Sequence, residues 1–249
     1  MDFVSMLVIS VLVFVVAALY SSVGHGGASG YLAVLSFFAV APATMASTAL
    51  TLNVLVAGVA MISYMRAGHL SWTLAWPFIV LSIPAAFIGG LVHVSEGAYD
   101  VLLSFALIFA AFRLAMNVVS PTRANDLRSV NLAVSLPVGA GIGLLSGVVG
   151  VGGGIFLSPL MILFRWADAK KTSAIAALFI VVNSLAGLAG RLAQGTLAIG
   201  GFAPLIAVAF LGGLIGSYYG ANKFSGLVLR RLLALVLVIA ATKMLLSLI

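Results

Sequence analysis

The sequence predicts an all-α membrane protein of about ten transmembrane segments, arranged as two inverted five-helix repeats with short, broken helices at two glycine motifs. Three observations carry that prediction. The chain is 63% hydrophobic and only 7% charged, whereas a soluble domain carries about 25% charged residues. Apolar runs separated by polar or helix-breaking residues recur along its whole length. Two glycine knots, Gly24-His25-Gly26-Gly27 and Gly150-Val151-Gly152-Gly153-Gly154, interrupt such runs at matching places in the two halves.

The apolar segments lie near 3–22, 27–41, 45–65, 72–92, 97–118, 131–149, 153–165, 172–191, 198–220 and 226–248. The first opens with Asp2 rather than a Lys or Arg, so it lacks the positive flank of a cleaved signal peptide and is expected to stay as a span. A full crossing takes about 20 apolar residues. The second and seventh segments are shorter, and are either short crossings that begin inside the membrane or re-entrant pieces. The charges arbitrate. If all ten segments cross, Arg66, Arg113, Arg123, Arg128, Arg165, Lys170, Lys171, Lys223, Arg230 and Arg231 fall on one side, against Arg191 and Lys243 on the other. If those two do not cross, the same residues divide six against six. Cytoplasmic loops hold the excess of Lys and Arg, which favours ten crossings with both termini outside the cytoplasm.

The net charge of +7 is then orienting loop charge and not a nucleic-acid footprint, since no basic cluster or soluble domain accompanies it. Trp72, Trp76 and Trp166 fall near segment ends, as an interfacial aromatic belt does. His69 and His93 are expected at span ends. Glu96 and Asp100 suit the first turn of the fifth helix. Cysteine is absent, so there is no disulfide frame and no thiol chemistry.

The halves align. Gly24, Gly26 and Gly27 match Gly150, Gly152 and Gly153 at an offset of 126; Gly68, Leu70, Pro77 and Gly89 match Gly195, Leu197, Pro204 and Gly216 at 127. This is the mark of an internal duplication, and an odd number of spans per copy inverts the second copy. The expected organisation is a transmembrane repeat over 1–119, a polar cytoplasmic linker over 120–130 and a second repeat over 131–249.

Consecutive glycines cannot sit inside a stable helix, and an unwound stretch in lipid needs partners for its amides. Paired breaks in an inverted repeat point to a transporter binding site. A helix is expected to begin behind each knot, at Gly30 and at Ile155, offering free N–H groups and partial positive charge to a small oxyanion. No Lys or Arg lies near either knot. Gly24, Gly26, Gly27, Gly150, Gly152, Gly153 and Gly154 therefore make the candidate site, with Thr48, Asn53, Ser158 and Asn183 as side-chain donors. His25 is a ligand, a carrier of a coupling proton, or a neutral hydrogen-bonding residue. Thr44, Ser47, Thr48 and Thr51 share one helix face, and Thr172 and Ser173 hold a similar place in the second half. The competing reading is that the glycines serve close helix packing and the hydroxyls bond back to their own helices.

Other chemistries are poorly represented. The knots do not satisfy the dinucleotide fingerprint and no P-loop is present. One histidine without carboxylates disfavours a metal permease. Gly27-Ala28-Ser29-Gly30 has the G-x-S-G pattern of rhomboid-type intramembrane serine proteases, but that reaction needs a base within reach of Ser29. A passive anion channel would use the same site and need a continuous pore.

Through Gly150-Val151-Gly152-Gly153-Gly154-Ile155-Phe156-Leu157-Ser158-Pro159-Leu160, its degenerate copy at Gly24 to Ala28, and the Gly68/Leu70 and Gly195/Leu197 pairs, the chain resembles the TauE/SafE sulfite-exporter family over essentially its whole length. The first knot departs from the glycine-proline form, with His25 and Ala28 inside it and Ala33 in the place of Pro159. The resemblance implies a bacterial-type inner-membrane permease, an exporter of small sulfur oxyanions or organosulfonates, that is not an enzyme and needs no cofactor or metal. The expected partners are a small anionic substrate, the lipid bilayer and coupling protons, with a homodimer as an allowed assembly and no nucleic acid.

Overall fold

The computed structural model describes residues 3–22, 24–115 and 127–220, together with Val238 and Thr242. Among them the regular structure is helical: α1 Phe3–Ser21, α2 Ala28–Phe37, α3 Pro42–Arg66, α4 Trp72–Leu91, α5 Glu96–Ala115, α6 Leu132–Val149, α7 Gly154–Leu163, α8 Ala169–Gln194 and α9 Pro204–Gly220, the last preceded by a 3₁₀ turn at Gly200–Phe202. The segment expected over 226–248 apart from Val238 and Thr242, residues 120–126 of the linker, and Lys223, Arg230, Arg231 and Lys243 lie outside the described residues. Among the described residues six helices are long and apolar enough to cross a bilayer by length and composition.

Local chemistry sets the helix ends. Pro42 opens α3, where its missing N–H costs nothing. Asn131 caps α6 by accepting from the Ala133 amide at 2.9 Å, and Asp168 caps α8 by accepting from the Lys171 amide at 2.9 Å. The helices behind the knots begin two residues and one residue earlier than expected, at Ala28 and Gly154, because Gly27 and Gly153 serve as N-caps. Each has ten residues and so a length of about 15 Å, half the hydrocarbon thickness of about 30 Å.

The interior is built on backbone-to-backbone approaches that only small residues allow. Gly139, Gly143 and Gly147 on α6 rest against the carbonyls of Phe78, Ser82 and Ala86 on α4. Gly90 and Gly190 carry the same approach between α4 and α8, and Gly212 and Gly216 bring α9 onto Phe14 and Ala18 of α1. Leu and Val tails gain little by leaving lipid for protein, so close van der Waals packing of this kind holds membrane helices together. The largest helix contacts are α4 on α6 and α8, α9 on α1 and α3, and α3 on α8.

Two sequence expectations are corrected. Trp166 is not part of an interfacial belt: it is 6% exposed and packs with Phe78 and Phe164 at ring separations of 5.3 and 4.9 Å. Trp72 and Trp76 are exposed as expected. The hydroxyl face of α3 does not converge on one site. Ser47 accepts from the Ala198 amide at 3.3 Å, and Thr51 bonds back to the Ser47 carbonyl at 2.8 Å.

Candidate functional site

The two glycine knots meet. Gly24, Gly27, Gly150, Gly152 and Gly153 all have positive φ, between 78° and 98°, a conformation open to glycine and costly for residues with a Cβ. The knots therefore break the helices, and their glycines also pack closely on the long helices. Each rests on the long helix of the other half: Gly24 against Ser173 of α8, and Gly150 against Ala46 of α3. A Cβ on Gly26 or Gly152 would overlap the Asn53 carboxamide and crowd Ile180.

Asn53, 1% exposed on α3, joins the knots. Its Oδ1 accepts from the Ala28 amide at 3.1 Å, and its Nδ2 donates to the Val151 carbonyl at 3.3 Å. It thus caps the first amide of α2 from outside that helix, because the Gly27 N-cap has no side chain to do so. At α7 no side-chain cap is present. Beside that helix start stand Ser158, one turn into the helix, and His25 from the first knot, with the buried, unpartnered Ser184 hydroxyl against Gly152. The Ser158 Oγ lies 3.1 Å from His25 Nε2 and donates to the Gly154 carbonyl at 2.9 Å.

The structure thus brings together Gly24, His25, Gly26, Gly27, Asn53, Gly150, Gly152, Gly153, Gly154 and Ser158. Asn183 stands apart from these contacts: its Nδ2 bonds back to the Phe179 carbonyl at 2.8 Å, leaving a buried, unpartnered Oδ1. Thr48 is buried with an unpartnered hydroxyl, and so is Thr172. At the repeat offset of 127 the counterpart of Asn53 is Ile180, which crowds Gly26, Gly152 and Gly154. The first half therefore supplies the polar link and the second an apolar one. Ser29 pairs with the Tyr20 hydroxyl at 2.8 Å.

The end of α6, just before the second knot, is held by two further side chains. Arg191 Nη2 donates to the carbonyls of Gly147 at 2.9 Å and Val148 at 2.7 Å, and the Tyr99 hydroxyl donates to that of Val149 at 3.0 Å. Together with the Gly150 amide on Ser146, these satisfy all four terminal carbonyls of the helix. Sequence reasoning saw Arg191 only as a minority outer charge. Its place at the end of a helix that runs along α6 was the missed signal.

The sequence profile described as "Sulfite exporter TauE/SafE" matches residues 9–244. The chain belongs to the TauE/SafE sulfite exporter family. A relative from Sinorhizobium fredii (strain NBRC 101917 / NGR234), named "Probable membrane transporter protein y4hK", is 36% identical over 236 residues, covering 93% of this chain and 95% of the relative. No solved structure matches significantly. This TauE/SafE member is a multi-pass membrane transporter, and its glycine knots lie within the matched span.

Proposed function

We propose that the chain exports a small sulfur-containing oxyanion, sulfite or an organosulfonate, by alternating access, with the anion held on helix N-termini at the two glycine breaks. The observation that carries this reading is the meeting of the two broken segments around Asn53, with the N-terminus of α7 left without a side-chain cap. First-turn amides and the helix dipole favour an anion there, and Ser158 and His25 stand beside the same turn. The family's name supports the sulfur oxyanion; the named relative supports transport alone.

Asn53 gives this reading a mechanism. Its oxygen takes the Ala28 amide as an anion's oxygen would. An anion bridging the α2 and α7 N-termini displaces that oxygen and loosens the hold on Val151, so occupancy alters the link between the halves. Only a differential interaction of this kind lets a ligand shift a conformational equilibrium. His25 is the proposed carrier of a coupling proton.

Support for two inverted repeats over 1–119 and 131–249, joined at 120–130, comes from contacts that exchange between halves. Gly24 on Ser173 answers Gly150 on Ala46, and α4 on α6 and α8 answers α9 on α1 and α3. His93, Val94 and Glu96 share one cleft with Arg191, Gln194 and Thr196, which supports ten crossings over eight.

The test is calorimetric binding of sulfite, taurine and methanesulfonate to purified protein, with Gly153→Val and Gly201→Val compared. A Cβ at Gly153 meets the Phe179 ring at 2.7 Å, whereas Gly201 faces open space. Saturable binding that survives at Gly201→Val and is lost at Gly153→Val is the expected result. No binding to folded wild-type protein would overturn the substrate class.

A further inference from the structure

Between the start of α3, the α4–α5 connection and the end of α8 lies a cleft of about 180 Å³. His93, Glu96, Tyr99, Val148, Arg191 and Thr196 contribute to its walls. Its floor includes Val148 in the last turn of α6, which leads directly into the second knot at Gly150. Arg191 is 8% exposed, yet it makes no ion pair: among the described residues the one ion pair joins Lys171 and Asp168. The cleft's own carboxylate, Glu96, is exposed and does not reach it.

Capping α6 accounts for part of this arrangement. Arg191 Nη2 serves two carbonyls, and the negative end of the α6 dipole favours a cation there. The buried Nε has no acceptor. A guanidinium presents five donors in a planar fork suited to carboxylate, phosphate and similar oxyanions. A buried cation in a membrane protein characteristically marks an ion pathway and pairs with another charge or with backbone carbonyls. Among the described residues Arg191 has the two carbonyls and no carboxylate.

The geometry points to a second oxyanion site in this cleft, with Arg191 as its counter-ion, where the transported anion pauses beside the second knot. This inference rests on the oxyanion reading of the knots and adds a distinct station to it. Tyr99 and Arg191 hold the floor while the anion occupies the space above it. Replacing Arg191 by Lys keeps the charge and gives up the fork; replacing it by Gln removes the charge.

The chain has no cysteine, so a single Thr196→Cys substitution on the cleft wall gives a unique reporter. In nanodiscs, its labelling rates with anionic sulfonatoethyl methanethiosulfonate and cationic trimethylammonioethyl methanethiosulfonate are each normalised to a free thiol. The expected anion-over-cation ratio exceeds unity, falls about tenfold in Thr196→Cys/Arg191→Gln, and is largely kept in Thr196→Cys/Arg191→Lys. Sulfate and methanesulfonate, which do not react with the reagents, slow labelling in the Arg191 protein and not in the Gln variant. A ratio near unity that ignores Arg191, or a thiol that neither reagent reaches, overturns the cleft site. If that result comes with intact sulfite uptake in liposomes, the knot reading stands without it. If uptake is also absent, both fall.

Discussion

At the scale of single residues, one carboxamide carries the link between the two breaks. Removing it in Asn53→Ala leaves the Ala28 amide and the Val151 carbonyl buried and unpaired, each at a cost of about 1–3 kcal/mol. Thermal unfolding of the purified variant is expected several degrees below wild type, with oxyanion uptake abolished. Asn53→Asp keeps an acceptor for Ala28 and loses the donor to Val151. It places a carboxylate where the anion should sit, so its uptake should fall at least as far. His25→Gln retains a hydrogen-bonding partner for Ser158 and removes the titration that histidine offers between pH 5 and 8. The expected outcome is a flat pH profile of uptake across that range, against a sloping profile in wild type; equal slopes would remove His25 from coupling. The knots and Ser158 were legible in the sequence because glycine runs and a helix start leave a pattern. The difference between Asn53 and Asn183 was not legible. Both are asparagines on long helices that touch both knots, and only side-chain direction has Asn53 bonding the knots while Asn183 Nδ2 bonds its own helix.

Among the elements, α4, α6 and α8 form a seam of glycines facing backbone. Gly143→Ala should force apart α4 and α6, since the added Cβ meets the Ser82 Cα at 2.7 Å. Overpacking of this kind costs roughly 1–3 kcal/mol. Gly141→Ala, one turn face away with open space around it, should be neutral in the same thermal-unfolding assay. Most helix spans were readable from hydropathy, and α2 and α7 were recognised as short. Their starts were misplaced because a glycine with positive φ ends the irregular stretch, and φ is not written in composition. The α3 hydroxyl row misled for a related reason. Helical spacing puts Ser47 and Thr51 near one face, but Thr51 spends its hydroxyl on its own helix and Ser47 on the chain before α9.

Across the whole molecule, the connections divide between two ends. The Arg128 amide bonds the Arg165 carbonyl at 2.8 Å, joining the linker to the α7–α8 turn where basic residues gather. His93, Glu96, Arg191 and Thr196 gather at the cleft. Single cysteines at Ser95 and at Lys170 should therefore be labelled from opposite faces of right-side-out vesicles by an impermeant reagent. Labelling of both from one face would contradict the ten-crossing arrangement. Charge asymmetry is what leads the sequence to expect this division. The cleft itself was not legible, because it forms from three connections far apart in sequence. The central claim is that a sulfur oxyanion binds at the uncapped α7 N-terminus and is carried across. Its most direct test is radiolabelled sulfite uptake into liposomes holding wild-type or Ser158→Ala protein. Saturable uptake is expected, competed by taurine or methanesulfonate, with KM raised roughly tenfold or more in Ser158→Ala by the loss of one hydrogen bond to a charged ligand. Uptake that never saturates, or saturable uptake untouched by Ser158→Ala and Gly153→Val, would contradict it.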